Sequence, residues 1–413
     1  MKKSHLLIGL ILAIWFVLAV VTNTLGPLLP MVISDFRLSL TLAAFLPFSF
    51  FLAYGIISIP AGLMIERFGG KRSLLIAFSF AFTGAFLFVL FPTYGIVLSS
   101  LFIIGIGMAM LQVILLPLMR EVGGERNYAF NSVLVQFIFG SASFVTPFIL
   151  TGLLRRLSDP YGIDSFLISS IKKVIPENLP WSSMYLLFVV VFALMLLIIA
   201  LVKFPKVVLK EEEKAGTAQN YKALLKNKYV ILFFFGIVTY VGTEQGMANW
   251  MSQFLKVYHG IDPEGLGATC VAWFWGLMTI GCLLGLLIIK LIDSKLMLRI
   301  FAIAAIINLI IALLSPTPIA IIAFPCCGFT ISIMFSMIFS LALNSVKKYH
   351  GAFSGILCTG MFGGALIPFL IGWVGDYTGL RLSLFILVIT LCYILSISFW
   401  AKPLVQNKKI FEN

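Results

Sequence analysis

The sequence predicts an all-α membrane protein of twelve transmembrane helices arranged as two pseudo-symmetric six-helix bundles, and three observations lead there. Of 413 residues, 61% are hydrophobic and 11% charged, whereas a soluble globule carries about 25% charged residues. Twelve apolar runs each approach the roughly 20 residues that span a bilayer. A single long polar run, residues 204–228, divides those twelve runs into two sets of six.

The first run follows Lys2 and Lys3 and continues to about Ile33. It is longer than the hydrophobic region of a signal peptide and lacks a small-residue cleavage site, so it is expected to be a retained first helix. The first six helices are expected at about 7–33, 39–64, 73–91, 94–119, 128–154 and 183–203. The second six are expected at about 229–257, 265–292, 296–314, 317–345, 352–374 and 380–401. Orientation follows from Lys and Arg. With both termini in the cytoplasm, only Arg37, Arg155, Arg156, Lys172, Lys173, Lys256 and Arg381 fall outside, which leaves 22 of the 29 cations on the inner side. An odd number of helices would break this bias.

The domain organisation is therefore an N-terminal bundle over 1–203, a cytoplasmic linker over 204–228, and a C-terminal bundle with a short cytoplasmic tail over 229–413. The first half is longer because of an external loop, 155–182, containing Pro160, Pro176 and Pro180. Without it the halves run to about 175 and 173 residues, as duplication of one six-helix unit requires. The net charge of +13 does not indicate nucleic acid, because the cations cap apolar segments and do not gather with aromatics on a polar domain. All six cysteines (Cys270, Cys282, Cys326, Cys327, Cys358 and Cys392) lie in apolar runs of the second half. They read as reduced packing residues, not as a disulfide or zinc framework.

The stretch Gly62 to Arg72, GLMIERFGGKR, places one carboxylate, three cations and paired glycines between the second and third helices. It resembles the corresponding loop of major facilitator transporters, with Glu66 where that family usually has Asp. Other stretches resemble one branch, the fucose and glucose/galactose symporters. Tyr240 to Phe254 (YVGTEQGMANWMSQF) is similar to that branch's seventh helix, Phe335 to Ala342 (FSMIFSLA) to its tenth, and Gly363 to Asp376 (GGALIPFLIGWVGD) to its eleventh. In the first half, Leu111-Gln112 with Pro117, and Leu134 to Gln136, echo its fourth and fifth helices. The resemblance implies the major facilitator fold, with two bundles rocking about a central site. A trace of the loop motif recurs, degenerate, at Gly285 to Arg299. Three departures set limits. The family's proton-linked acid of helix one falls at Gly26, its helix-four acid at Gln112, and its helix-eight Gly-Arg at Gly281-Cys282, so its proton chemistry does not carry over.

An ionisable side chain within hydrocarbon is costly and normally faces a cavity or a partner. Glu244 is the deepest acid in any helix. It is expected either to contact substrate and a coupling cation or to be a structural acid bonded to a neighbouring helix. Amides and carboxylates suit sugar hydroxyls, and aromatic faces suit the apolar side of the ring. The candidate substrate-binding residues are Asn23, Gln112, Gln136, Glu244, Gln245, Asn249, Trp250 and Trp273, with Trp275 an alternative aromatic. Single amides also serve as interhelical glue. Gly246 is expected to loosen the seventh helix and free carbonyls for a ligand. The candidate gating residues are Gly62, Glu66, Arg67, Gly69, Lys71, Arg72, Arg120, Glu121 and Asp376. Glu66 is expected to pair with cytoplasmic cations, in a network extended by Glu125-Arg126.

No phosphate loop, nucleophile-base pair, paired hydrolytic acids or metal-ligand set is present in the pattern, so no enzyme and no cofactor is expected beyond a coupling cation, Na+ or H+. The expectation is a monomeric multi-pass carrier of the inner or plasma membrane, partnered by lipid and a small molecule, a hexose or related sugar. That substrate rests on the resemblance. A carrier or exporter of another polar solute, such as a nucleoside, and a non-transporting sensor are the alternatives.

Overall fold

The computed structural model describes residues 2–124, 128–158, 166–176, 178–205, 218–288, 293–346 and 348–402. Among these, eleven helical stretches are long and apolar enough to cross a membrane. One of them, Leu40–Leu90, is two helices joined at Gly69, which brings the count to the expected twelve. We number them α1 (His5–Phe36), α2 and α3 (the arms of Leu40–Leu90 before and after Gly69), α4 (Tyr94–Gly123), α5 (Tyr128–Ser158) and α6 (Ser183–Leu201). The second set is α7 (Lys228–His259), α8 (Pro263–Gly285), α9 (Ser294–Leu314), α10 (Thr317–Leu343), α11 (His350–Thr378) and α12 (Leu380–Trp400). Short helices Phe166–Val174 and Ala218–Leu225 lie in the α5–α6 connection and the linker.

The expected loop over 62–72 is corrected by the structure. Helix runs through it on both sides, and only Gly69 leaves helical geometry, at φ 75° and ψ 166°. That region penalises any side chain, so one glycine performs the turn that the sequence spreads over eleven residues. Lys71 Nζ then donates to the carbonyls of Ala200 (2.7 Å) and Val202 (2.8 Å), satisfying the C-terminal end of α6. Most of the linker, the Glu125-Arg126 pair, residues 289–292 of the repeated motif and the tail beyond 402 lie outside the described residues.

Within each bundle, small residues set the helix spacing. A Cβ built on Gly363 of α11 would stand 1.9 Å from the Val238 carbonyl oxygen of α7, so the two backbones touch where a side chain would hold them apart. The faces turned away from the core stay apolar: Ile307, Leu314, Ile322 and Ile389 are 54–70% exposed. Such a belt suits acyl chains, not water.

The bundles meet through α1, α2 and α5 of the first and α7, α8 and α11 of the second. We distinguish the end of the molecule bearing Gly69 from the opposite end, bearing Asp376. At the Asp376 end contact between bundles is intimate. Gly372 of α11 abuts the Leu40 carbonyl of α2, and Gly26 of α1 abuts the Ala248 carbonyl of α7. Within the first bundle, α4 packs on α1, α2–α3 and α5.

Candidate functional site

The centre of the molecule is built on a break in α1. Helix stops at Asn23 and resumes at Leu25. Pro27 and Pro30 lack the N–H groups that would bond the carbonyls of Asn23 and Gly26, so these are released from the helical ladder. Asn23 is buried, its Nδ2 donates to Ser143 Oγ of α5 at 2.8 Å, and its Oδ1 has no partner among the described residues. Its chain neighbour Thr22 lies beside Tyr54 of α2. Both hydroxyls are enclosed without a well-formed bond among the described residues.

Across the bundle boundary, α7 presents Glu244. Its carboxylate accepts from the Tyr240 hydroxyl at 2.8 Å and from Gln245 Nε2 at 3.2 Å. Asn249 Nδ2 continues the chain, donating to the Gln245 carbonyl at 2.8 Å. Tyr240 sits four residues before Glu244, one turn away on the same helix face. It was legible from that spacing but was not among the sequence candidates. On α8, Cys282 is within electrostatic range of Glu244. Trp275 lies two turns along the same face, fully enclosed, with an indole N–H that has no partner among the described residues. Thr22, Asn23, Tyr54 and Glu244 all lie about fifteen residues from the Asp376 end of their helices, or about 22 Å deep at 1.5 Å per residue. They therefore occupy one level near mid-membrane.

The other candidates are placed differently. Trp250 is 0% exposed and its Nε1 donates to the Pro368 carbonyl at 3.0 Å, so it joins α7 to α11 inside the second bundle. Trp273 is 46% exposed and packs edge-on to Phe144, ring centroids 5.3 Å apart, at the α5–α8 seam. Gln136 is exposed one turn from Gly140 on that seam, where a Cβ would meet Thr279 of α8, and Gln112 is half-buried on α4. The expected loosening at Gly246 does not occur. The helix is continuous from Lys228 to His259, and Leu387 and Ile371 pack onto Gly246, so the missing side chain makes room for α12 and α11.

The gating candidates divide between the two ends. Asp376 bridges the bundles: its carboxylate accepts from the backbone N–H of Leu40 (2.7 Å) and Thr41 (2.9 Å) and from the Thr41 hydroxyl, which caps the N-terminus of α2. At the Gly69 end, Gly62 is half-buried while Glu66, Arg67 and Arg72 are exposed, and the Arg67 guanidinium lies over Phe68. Arg120 is 7% exposed beside the exposed Glu121. Lys71 serves α6 within its own bundle.

The chain is similar to known proteins over most of its length. The "Glucose/galactose transporter" of Brucella abortus is 29% identical over 376 residues, covering 89% of this chain and 87% of that one. The "L-fucose-proton symporter" of Escherichia coli is 23% identical over 407 residues, covering 92% and 89%. A crystal structure of the E. coli fucose:proton symporter superposes with a TM-score of 0.69 at 20% identity, over 97% of this chain and 99% of that one. The model of the Major Facilitator Superfamily matches residues 10–368, and the chain belongs to that superfamily.

Proposed function

We propose that the protein carries a hexose or related sugar across the inner or plasma membrane by alternating access, with both termini cytoplasmic and the working unit a monomer. The observation that carries this reading is the set of groups at mid-depth. Glu244 is bonded by two neutral donors, and Asn23 and Tyr54 at the same level, with Trp275 on α8, hold buried polar atoms without a partner among the described residues. Buried polar groups left unpaired are costly, and a neutral polyhydroxyl ligand supplies both donors and acceptors at that depth. The names of the relatives support a sugar. Uptake of labelled hexose into proteoliposomes, competed by unlabelled sugars, tests the reading; the absence of competition by any sugar contradicts it.

Coupling is proposed to use Na+, or to be absent, in preference to H+. Gly26 and Gln112 stand where the related symporters carry acids, and the released carbonyls of Asn23 and Gly26 are cation ligands of the kind that broken helices offer. An inward sodium gradient is expected to raise accumulation, or neither gradient to matter. Strong acceleration by an imposed pH gradient that persists in Glu244→Gln contradicts this.

On this orientation the Asp376 end is external and closed, so Asp376 is an outer latch, while Gly62 to Arg72 with Arg120 and Glu121 forms the inner one. Asp376→Ala is expected to cost the closed state about 1–2 kcal/mol, the range for losing a helix cap and its charge, or five- to thirty-fold in population. Electron-spin distance measurements between labels on the external ends of α2 and α11 read the shift, and an unchanged distance distribution contradicts it.

A further inference from the structure

Away from the central site, at the Gly69 end, lies an apolar groove of about 530 Å³, open to one side. Ile59 of α2 forms its wall on the first bundle, Ile231 and Phe234 of α7 with Ile356 and Thr359 of α11 form the wall on the second, and Tyr221 of the linker helix Ala218–Leu225 covers its mouth. The Tyr221 hydroxyl is enclosed and has no hydrogen-bond partner among the described residues. It packs over Gly355, where a Cβ would come within 3.2 Å of it. Burial, and the nearby Glu66 carboxylate, push its pKa up, so it stays a neutral donor. Three exposed cations flank the lining residues in the chain: Lys222 follows Tyr221, Lys226 follows Leu225 and Lys228 stands two residues before Val230.

We propose that this groove binds one anionic glycerophospholipid of the cytoplasmic leaflet. Its acyl chain lies between α2, α7 and α11, and its phosphate is held by Lys222 and Lys226 at the mouth. Charge complementarity selects this occupant: Lys222, Lys226 and Lys228 lie on or beside the segments that line an otherwise apolar cleft, against one nearby carboxylate, Glu66, where α7 begins. Polybasic positions of this kind attract anionic lipid headgroups. Because the walls come from both bundles, the site exists only while α2 and α11 keep this relation, and the lipid favours this conformer over those that separate them.

The test uses the full-length protein in detergent, titrated with phosphatidylglycerol or phosphatidylcholine carrying identical dioleoyl chains, with bound lipid counted by native mass spectrometry. Wild type is expected to retain phosphatidylglycerol about five-fold or more over phosphatidylcholine. Lys222→Gln with Lys226→Gln, both at exposed positions, is expected to bring the two lipids to parity. Ile231→Trp, which fills the groove from a 41% exposed position, is expected to lower retention of both. Parity in wild type overturns the site, as does a preference unchanged by the lysine substitutions. If Ile231→Trp retains phosphatidylglycerol at the wild-type level, the headgroup is held at the surface alone and the groove assignment falls.

Discussion

Glu244→Ala is expected to weaken equilibrium binding of the transported sugar by about ten- to hundred-fold, and Glu244→Gln by less. The carboxylate accepts from Tyr240 and Gln245 in the present structure, and a charged acceptor facing sugar hydroxyls contributes about 1.5–3 kcal/mol per hydrogen bond. Glutamine keeps one acceptor oxygen and the length of the side chain, so it retains part of that contribution. Alanine removes both and leaves the Tyr240 hydroxyl without its partner. The pair also separates roles. If the charge holds a coupling cation, Glu244→Gln loses ion-driven accumulation while sugar exchange continues. Calorimetric titration of the purified variants, together with accumulation in proteoliposomes, measures both quantities. Wild-type affinity and accumulation in both variants would make Glu244 a structural acid.

The second large effect is expected at Gly26. A Cβ there would lie 2.4 Å from the Ala248 carbonyl oxygen and 3.6 Å from the Asn249 Cα. The obstacle is backbone on both sides, which no rotamer change relieves. Gly26→Val is therefore expected to hold α1 away from α7 and prevent the Asp376 end from closing. Overpacking of this kind costs about 1–3 kcal/mol, and here it falls on one conformer alone, so the closed population drops by up to about a hundred-fold and net transport with it. Spin labels introduced by Arg37→Cys and Arg381→Cys in a cysteine-replaced background read the separation across that end. A distance unchanged from the parent, with transport intact, contradicts the close approach. By the same contact, no carboxylate fits at residue 26 in this conformer.

Much of the fold was legible because a bilayer imposes few solutions. Helix lengths and the twelve-fold count follow from hydrocarbon thickness. The turn at Gly69 was harder to place, since cations and glycines mark a turn region without saying which glycine takes positive φ. The carboxylate of the candidate site stands out in the sequence, as a charge too costly to leave in hydrocarbon without a partner. Its company stands out less. Trp250 and Gly246 have the composition of site residues, but tertiary packing against Pro368, Leu387 and Ile371 claims them for the core of the second bundle. Thr22, Tyr54 and Ser143 were missed because hydroxyls are common in membrane helices. Only their convergence from three helices on one level sets them apart, and a sequence does not display convergence.

The central claim, that the mid-membrane site carries a sugar across the bilayer, is tested most directly by counterflow. Proteoliposomes loaded with an unlabelled hexose or 6-deoxyhexose are diluted into trace labelled sugar with no ion gradient. Transient accumulation of label above equilibrium is expected for at least one sugar of the panel, reduced in Glu244→Ala. Counterflow with nucleosides or another solute class, and with none of the sugars, would contradict it.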